Sequence, residues 1–205
     1  MIRQLVTTTA ALAFATAAAL AAPITFDFKD PKGVNNIRFD LDAPLESMSG
    51  NANGVTGTVV FDPANPAALT GKIVVAANSL KLPNATMQDH LHSPDWIDVA
   101  KHPEISFEVT KVANAKTSGT DTTVDVTGNL TIKGVTKEIT VPAKVSYMPD
   151  ALSRRQPNAK GDILVVRAEF SVKRDDFGIQ PGQRADTVGA DIKLSLALAG
   201  FAPKA

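Results

Sequence analysis

Apolar and polar residues alternate along most of this chain with a period of two. The last strand-like run, Val188 to Leu198, is the clearest case. Val188, Ala190, Ile192, Leu194, Leu196 and Leu198 are apolar, whereas Gly189, Asp191, Lys193, Ser195 and Ala197 are small or polar. Such a period places one set of side chains on a buried face and the other toward water. The rhythm recurs in Ile37 to Asp42, in Val55 to Phe61 and in the β-branched stretch Leu69 to Leu80, with weaker candidates at Ile24 to Asp30 and Leu45 to Ser49. Further strands are predicted over Ile105 to Thr110, Val124 to Ile132, Ile139 to Tyr147 and Leu164 to Lys173. Gly128 marks a bend or bulge, Gly134 a hairpin turn, and Pro142 an edge or a bulge.

One segment breaks the pattern. Asn84 to Ala100 shows no alternation and predicts one or two short helices. Ser93-Pro94-Asp95 has the form of a helix start: a hydroxyl cap, Pro at the first position and an acid in the first turn. Trp96, Ile97 and Ala100 would then pack down on the sheet, and Pro103 would end the helix. The whole reads as eight to ten antiparallel strands with one helical insertion. Such a sheet buries its apolar face by closing into a barrel of about eight strands, or by stacking as a sandwich, which periodicity alone does not separate. No repeat, low-complexity tract or linker divides the chain.

The first residues read as an address label. Arg3 gives a short basic start, Ala10 to Ala22 is an almost unbroken run of small apolar residues, and Ala19-Leu20-Ala21 fits a cleavage site. Residues 1–21 are therefore expected to be a signal peptide and 22–205 a single domain, with the periplasm as destination. The apolar run is too short to span a bilayer, which takes about 20 residues, so no stable membrane insertion is expected. Without Arg3 the chain carries 20 Lys and Arg against 21 Asp and Glu. That balance offers no electrostatic footprint for nucleic acid. The chain has no cysteine, which excludes disulfides, thiolate nucleophiles and Cys-based metal sites.

Three stretches, in order, resemble the landmarks of the YceI-like family. Asp89-His90-Leu91-His92-Ser93-Pro94-Asp95-Trp96 running on to Lys101-His102-Pro103-Glu104-Ile105-Ser106-Phe107 is similar to its central signature. Gly128-Asn129-Leu130-Thr131-Ile132-Lys133-Gly134-Val135-Thr136-Lys137 is similar to its hairpin, and Arg174-Asp175-Asp176-Phe177-Gly178 to its turn before the last strand. The resemblance implies a lipocalin-like antiparallel barrel that binds polyisoprenoids or other long-chain amphiphiles without chemistry or cofactor. Departures lie at Met87-Gln88, where the family has an Arg-Asp pair, at His102, where it has Tyr, and at Ala43 to Met48, where it often has a His-containing strand. They bear on the head group more than on the tail.

On that reading the cavity is lined by Ile105, Phe107, Val124, Leu130, Phe170, Ile192, Leu194 and Leu196, with His90 and Arg174 as head-group candidates. The plain alternative is a barrel filled by those same side chains. His90, His92 and His102 lack the spacing of a zinc site, and no metal is expected. Arg174 with its neighbouring acids also fits a salt-bridged turn, and Arg154-Arg155 would suit a pyrophosphate only if that loop overhung the mouth. Trp96 reads as a plug under the helix. Ser93, His92 and Asp95 are close in sequence but do not compose a triad, and no phosphate loop or zinc-protease motif is present. The alternatives to a lipid carrier are a cofactor-free enzyme using His90 on a small apolar substrate and a structural barrel that binds a protein. The sequence also allows a homodimer.

Overall fold

Among the described residues, eleven strands carry the alternation into three dimensions. The computed structural model describes residues 22–204; the predicted signal peptide lies outside them. The strands are β1 (Ile24–Asp27), β2 (Asn36–Asp42), β3 (Ser47–Ala52), β4 (Val55–Phe61), β5 (Thr70–Ala76), β6 (Leu80–Lys81), β7 (Glu104–Ser118), β8 (Asp121–Ile132), β9 (Val135–Met148), β10 (Gly161–Lys173) and β11 (Asp191–Pro203). β1 pairs with β4 while β2 pairs with β3, and β4 pairs with β5 while β3 pairs with β6. The first six strands are thus three bent staves. With β7 to β11 they make eight staves in simple antiparallel succession, closed where β11 meets both β2 and β1. The barrel, not the sandwich, is the solution.

The closing seam is completed by a side chain. β11 pairs with β2 from Ile192 to Ala197 and with β1 at Phe201, leaving Ala199 between them without a strand on that side. Asn35, 2% exposed, fills the interval. Its amide donates to the carbonyls of Phe28 (2.9 Å) and Ala199 (3.0 Å) and accepts the Ala199 N–H at 2.7 Å. The turn that delivers it is built on Asp30, whose carboxylate accepts the N–H groups of Lys32, Val34 and Asn35.

Several boundaries differ from those read in the sequence. The last strand runs from Asp191 to Pro203 rather than from Val188 to Leu198. Its start is set by the Lys173–Asp191 pair. At its far end Phe201 packs outside the barrel on Leu152 and Ile163, so both faces are buried and the alternation fades. β7 continues to Ser118 because register shifts after Val109 and Ala113 reset its alternation. One of these bulges faces Gly128, and the ring of Phe107 lies where a Cβ at Gly128 would stand, at 2.6 Å. Pro142 sits just past the end of the β9–β10 ladder, which stops at Ala143 and Ala168, so its missing N–H costs no bond. The helix also differs: α1 covers Ala85–His92, with Asn84 as its N-cap. Ser93 closes this helix instead of opening another, donating its hydroxyl to the His90 carbonyl at 2.7 Å. Pro94 forces Ser93 into extended backbone, which ends α1 there.

One end of the barrel is packed solid. Phe26 and Phe61 are buried there against Tyr147, with ring centroids 6.2 and 6.1 Å from it. The Tyr147 hydroxyl donates to Asp162 at 3.0 Å, and the other oxygen of Asp162 accepts the Asp150 N–H (2.8 Å) and the Lys204 ammonium (2.7 Å). Burial pulls the Asp162 carboxyl upward, but these three donors outweigh it and hold its pKa below the usual 3.8. Burial, then the bond to Asp162, pushes the Tyr147 phenol up to about 12. A raised phenol favours the folded state below its unfolded pKa of 10.0, and that contribution is lost between 10 and about 12. Stability should therefore fall by on the order of 2 kcal/mol over this window, and Tyr147→Phe should flatten the decline in urea titrations at pH 9 and 12. The Asp162 contribution has the opposite sense, being present above its unfolded pKa and lost as acid takes the pH below 3.8.

Candidate functional site

The other end of the barrel encloses a cavity of about 440 Å³. Its wall is the inward face of the staves. Ile192, Leu194, Leu196 and Leu198 from β11 line it, as do Val166, Ala168, Phe170 and Val172 from β10. Ile105, Phe107 and Val109 come from β7, and Val126, Leu130 and Ile132 from β8. Most of these side chains are only half-buried, although they point into the barrel. A filled core would leave them inaccessible, as it does Phe26, Phe61 and Leu164 at the packed end. The wall is therefore lined rather than filled.

Seven of the eight wall residues expected from the sequence lie on this surface: Ile105, Phe107, Leu130, Phe170, Ile192, Leu194 and Leu196. Val124 does not. It is 3% exposed in the core, although its cross-strand partner Ala143 does line the cavity. Periodicity gives the face of a strand but not the depth along it.

The mouth is made by the β2–β3 turn, α1, the turn after it and the segment 174–190. Glu46, Met48, Leu82, Met87, His90, Trp96, Arg184 and Thr187 stand around it. α1 is held across the opening by Gln88, which donates to the Leu80 carbonyl (2.7 Å) and accepts the Leu82 N–H (2.6 Å). The His92 ring nitrogen adds a contact to the Leu80 carbonyl at 2.9 Å. In this way Gln88 and His92 satisfy the free edge of β6. His102 packs instead against Gly134, where an added Cβ would meet its ring at 2.7 Å. The three histidines thus go to three places, and among the described residues no cluster of three His, Asp or Glu could hold a metal. His90 alone stays exposed on the cavity rim. Trp96 is part of the rim lining as well as a cover. With the Ser93 hydroxyl donated to His90 and His92 turned to Leu80, no nucleophile–base pair forms there.

Arg174 is not free for a head group. It is 1% exposed, and its guanidinium donates to the carbonyls of Gly189 (3.2 Å), Ile179 (2.9 Å), Gln180 and Gln183. The main chain closes the same segment where the Arg174 N–H meets the Ala190 carbonyl at 2.9 Å. This tied segment stands beside the gap left where the β9–β10 ladder ends, and Phe177 is buried within it. Arg155 is also no rim residue. It lies over the Phe201 ring at 5.7 Å and 3.9 Å from Asp30, beside the packed end. The rim cation that sequence reading missed is Arg184, in a loop with no periodicity to mark it.

A closed eight-stave meander around an apolar chamber open at one end is a lipocalin-like barrel. Residues 34–199 match the YceI-like domain, and the chain belongs to that family. It is 34% identical over 172 residues to Protein YceI of Salmonella newport, covering 84% of each chain. It is 33% identical over 129 residues to a UPF0312 protein of Pseudomonas aeruginosa, covering 62% of this chain and 65% of that one, just under two thirds of its length. The fold is similar to Burkholderia cenocepacia BcnA, with a TM-score of 0.65 and 22% identity over 80% of this chain and 95% of that one. It is also similar to a polyisoprenoid binding domain from Saccharophagus degradans implicated in plant cell wall breakdown, with a TM-score of 0.62 and 13% identity over 89% of this chain and all of that one.

Arg174→Met should leave four carbonyls without their donor and cost about 3 kcal/mol. A lowered urea midpoint, together with new proteolytic cleavage confined to residues 174–190, is the expected result.

Proposed function

We propose that this chain is a periplasmic binding protein that holds the tail of a long-chain amphiphile, an isoprenoid lipid or a close relative, inside the barrel and performs no chemistry on it. The observation that carries the reading is the accessible, almost wholly apolar wall of the cavity, closed by aromatic packing at one end and edged with polar side chains at the other. The polyisoprenoid binding domain of Saccharophagus degradans, which shares the fold, supports the ligand class. Export rests on the signal-like residues 1–21.

Magnitudes set the tail length. Burial gains about 0.8 kcal/mol per CH₂, while association costs roughly 4–15 kcal/mol. A five-carbon prenyl group gains about 4 kcal/mol and cannot hold. A fifteen-carbon chain gains about 12 kcal/mol gross, which exceeds all but the upper part of that cost.

Trp96 is the single tryptophan of the chain and stands on the cavity wall, so its fluorescence reports occupancy. Titration with farnesol should change it saturably, native mass spectrometry should show one lipid per chain, and dimethylallyl alcohol should do neither. Leu194→Trp, which fills the chamber, should weaken farnesol binding at least tenfold in native mass spectra without lowering the melting temperature by more than a few degrees. Unchanged farnesol binding in Leu194→Trp would place the ligand elsewhere and overturn the reading.

A further inference from the structure

Resting on the lipid-holding reading, we infer that the head of the bound molecule is an oxyanion, taken at the mouth by the guanidinium of Arg184. Four ionisable residues reach the cavity lining: Glu46, His90, Arg174 and Arg184. Two of them are guanidinium groups on one segment, and they are in opposite states. Arg174 is buried with its donors spent on carbonyls. Carbonyl oxygens satisfy N–H groups but bring no net charge. The carboxylate nearest it, Asp175, is 3.7 Å away and 43% exposed, where solvent weakens its field. A positive charge thus stands at the cavity wall, offset by four carbonyl dipoles and one exposed carboxylate.

Arg184 has the same charge and a free hand. Its backbone is fixed, with φ at +56° and its carbonyl accepting the N–H groups of Thr187 (3.0 Å) and Val188 (2.7 Å). Its side chain is exposed and makes no hydrogen bond or ion pair to any described residue. Asp186 and Asp176 lie close in sequence, yet neither pairs with it. A guanidinium with its fork unoccupied is the side chain best matched to a planar or tetrahedral oxyanion, which it takes through two parallel N–H bonds. The apolar chamber on one side lowers the local dielectric and strengthens that attraction. The exposed ring of His90 stands on the same rim. Glu46 is the one carboxylate of the lining and pairs with neither arginine; it opposes an anion and trims the preference without reversing it.

Phosphate and carboxylate heads share this chemistry, and the test separates them. The intact chain is titrated at low salt with farnesyl phosphate, farnesol and palmitate, following Trp96 fluorescence and native mass. Farnesyl phosphate should bind about tenfold more tightly than farnesol, and Arg184→Gln should erase the difference. Glu46→Gln should widen it. Palmitate weakened in parallel by Arg184→Gln identifies a general oxyanion site, whereas palmitate unaffected narrows the head to phosphate. Equal affinity of the unaltered protein for farnesyl phosphate and farnesol, or a preference that survives Arg184→Gln, overturns the inference while leaving tail binding in place. Failure of all three molecules to bind would instead remove the reading on which it rests.

Discussion

At the closing seam the ring of main-chain hydrogen bonds has an interval where no strand supplies a partner, and the amide of Asn35 supplies it. A sheet that stays open must protect two edges, and closure removes both. Here closure is demanding, because β1 and β2 meet the same strand at separate places with a turn between them. Without Asn35, the Ala199 N–H and carbonyl on that side would be left unpaired in a partly buried seam, each costing about 1 kcal/mol. The Asp30 turn exists to present that amide. The eight-stave circuit, and with it the chamber, depends on a polar side chain in a place where a hydrophobic one would be expected.

Closure alone does not decide between a core and a chamber. The difference is made by the size of the side chains brought inward at each level. Phe26, Phe61 and Tyr147 fill one end, and Tyr147 brings its hydroxyl to the buried Asp162, which is itself clamped by Lys204 near the end of the chain. Toward the other end the inward residues are mostly aliphatic, and they fall short of the axis. The same ladder of strands therefore carries stability at one end and vacancy at the other. A substitution at Leu194 therefore has little effect on the packed end.

Most of the fold was legible because alternation is a local signal. The inward faces of β10 and β11 were readable residue by residue, and the hairpin at Lys133-Gly134 is as its glycine announced. What failed did so for identifiable reasons. The bulges of β7 reset the period, and the last strand lost its alternation once Phe201 found a small outer core. Ser93 had the composition of a helix start but the proline after it made it a stop. The role of Asn35 needs the three-dimensional seam, since Asn-Asn before a strand reads as a turn. Arg174 and Arg184 look alike in sequence; only burial and four carbonyls tell the fastener from the free cation.

The segment from Arg174 to Ala190 has its own fastening inside it. Its ends are joined by one hydrogen bond, its middle is gathered by one guanidinium, and few bonds, such as those from Leu45 and Gln180, tie it to neighbouring loops. A piece so constructed is modular. Residues on its outer turn can be exchanged without altering the staves that flank it, so a scaffold with this plan can acquire a new recognition surface by swapping one cassette while its apolar interior stays as it was.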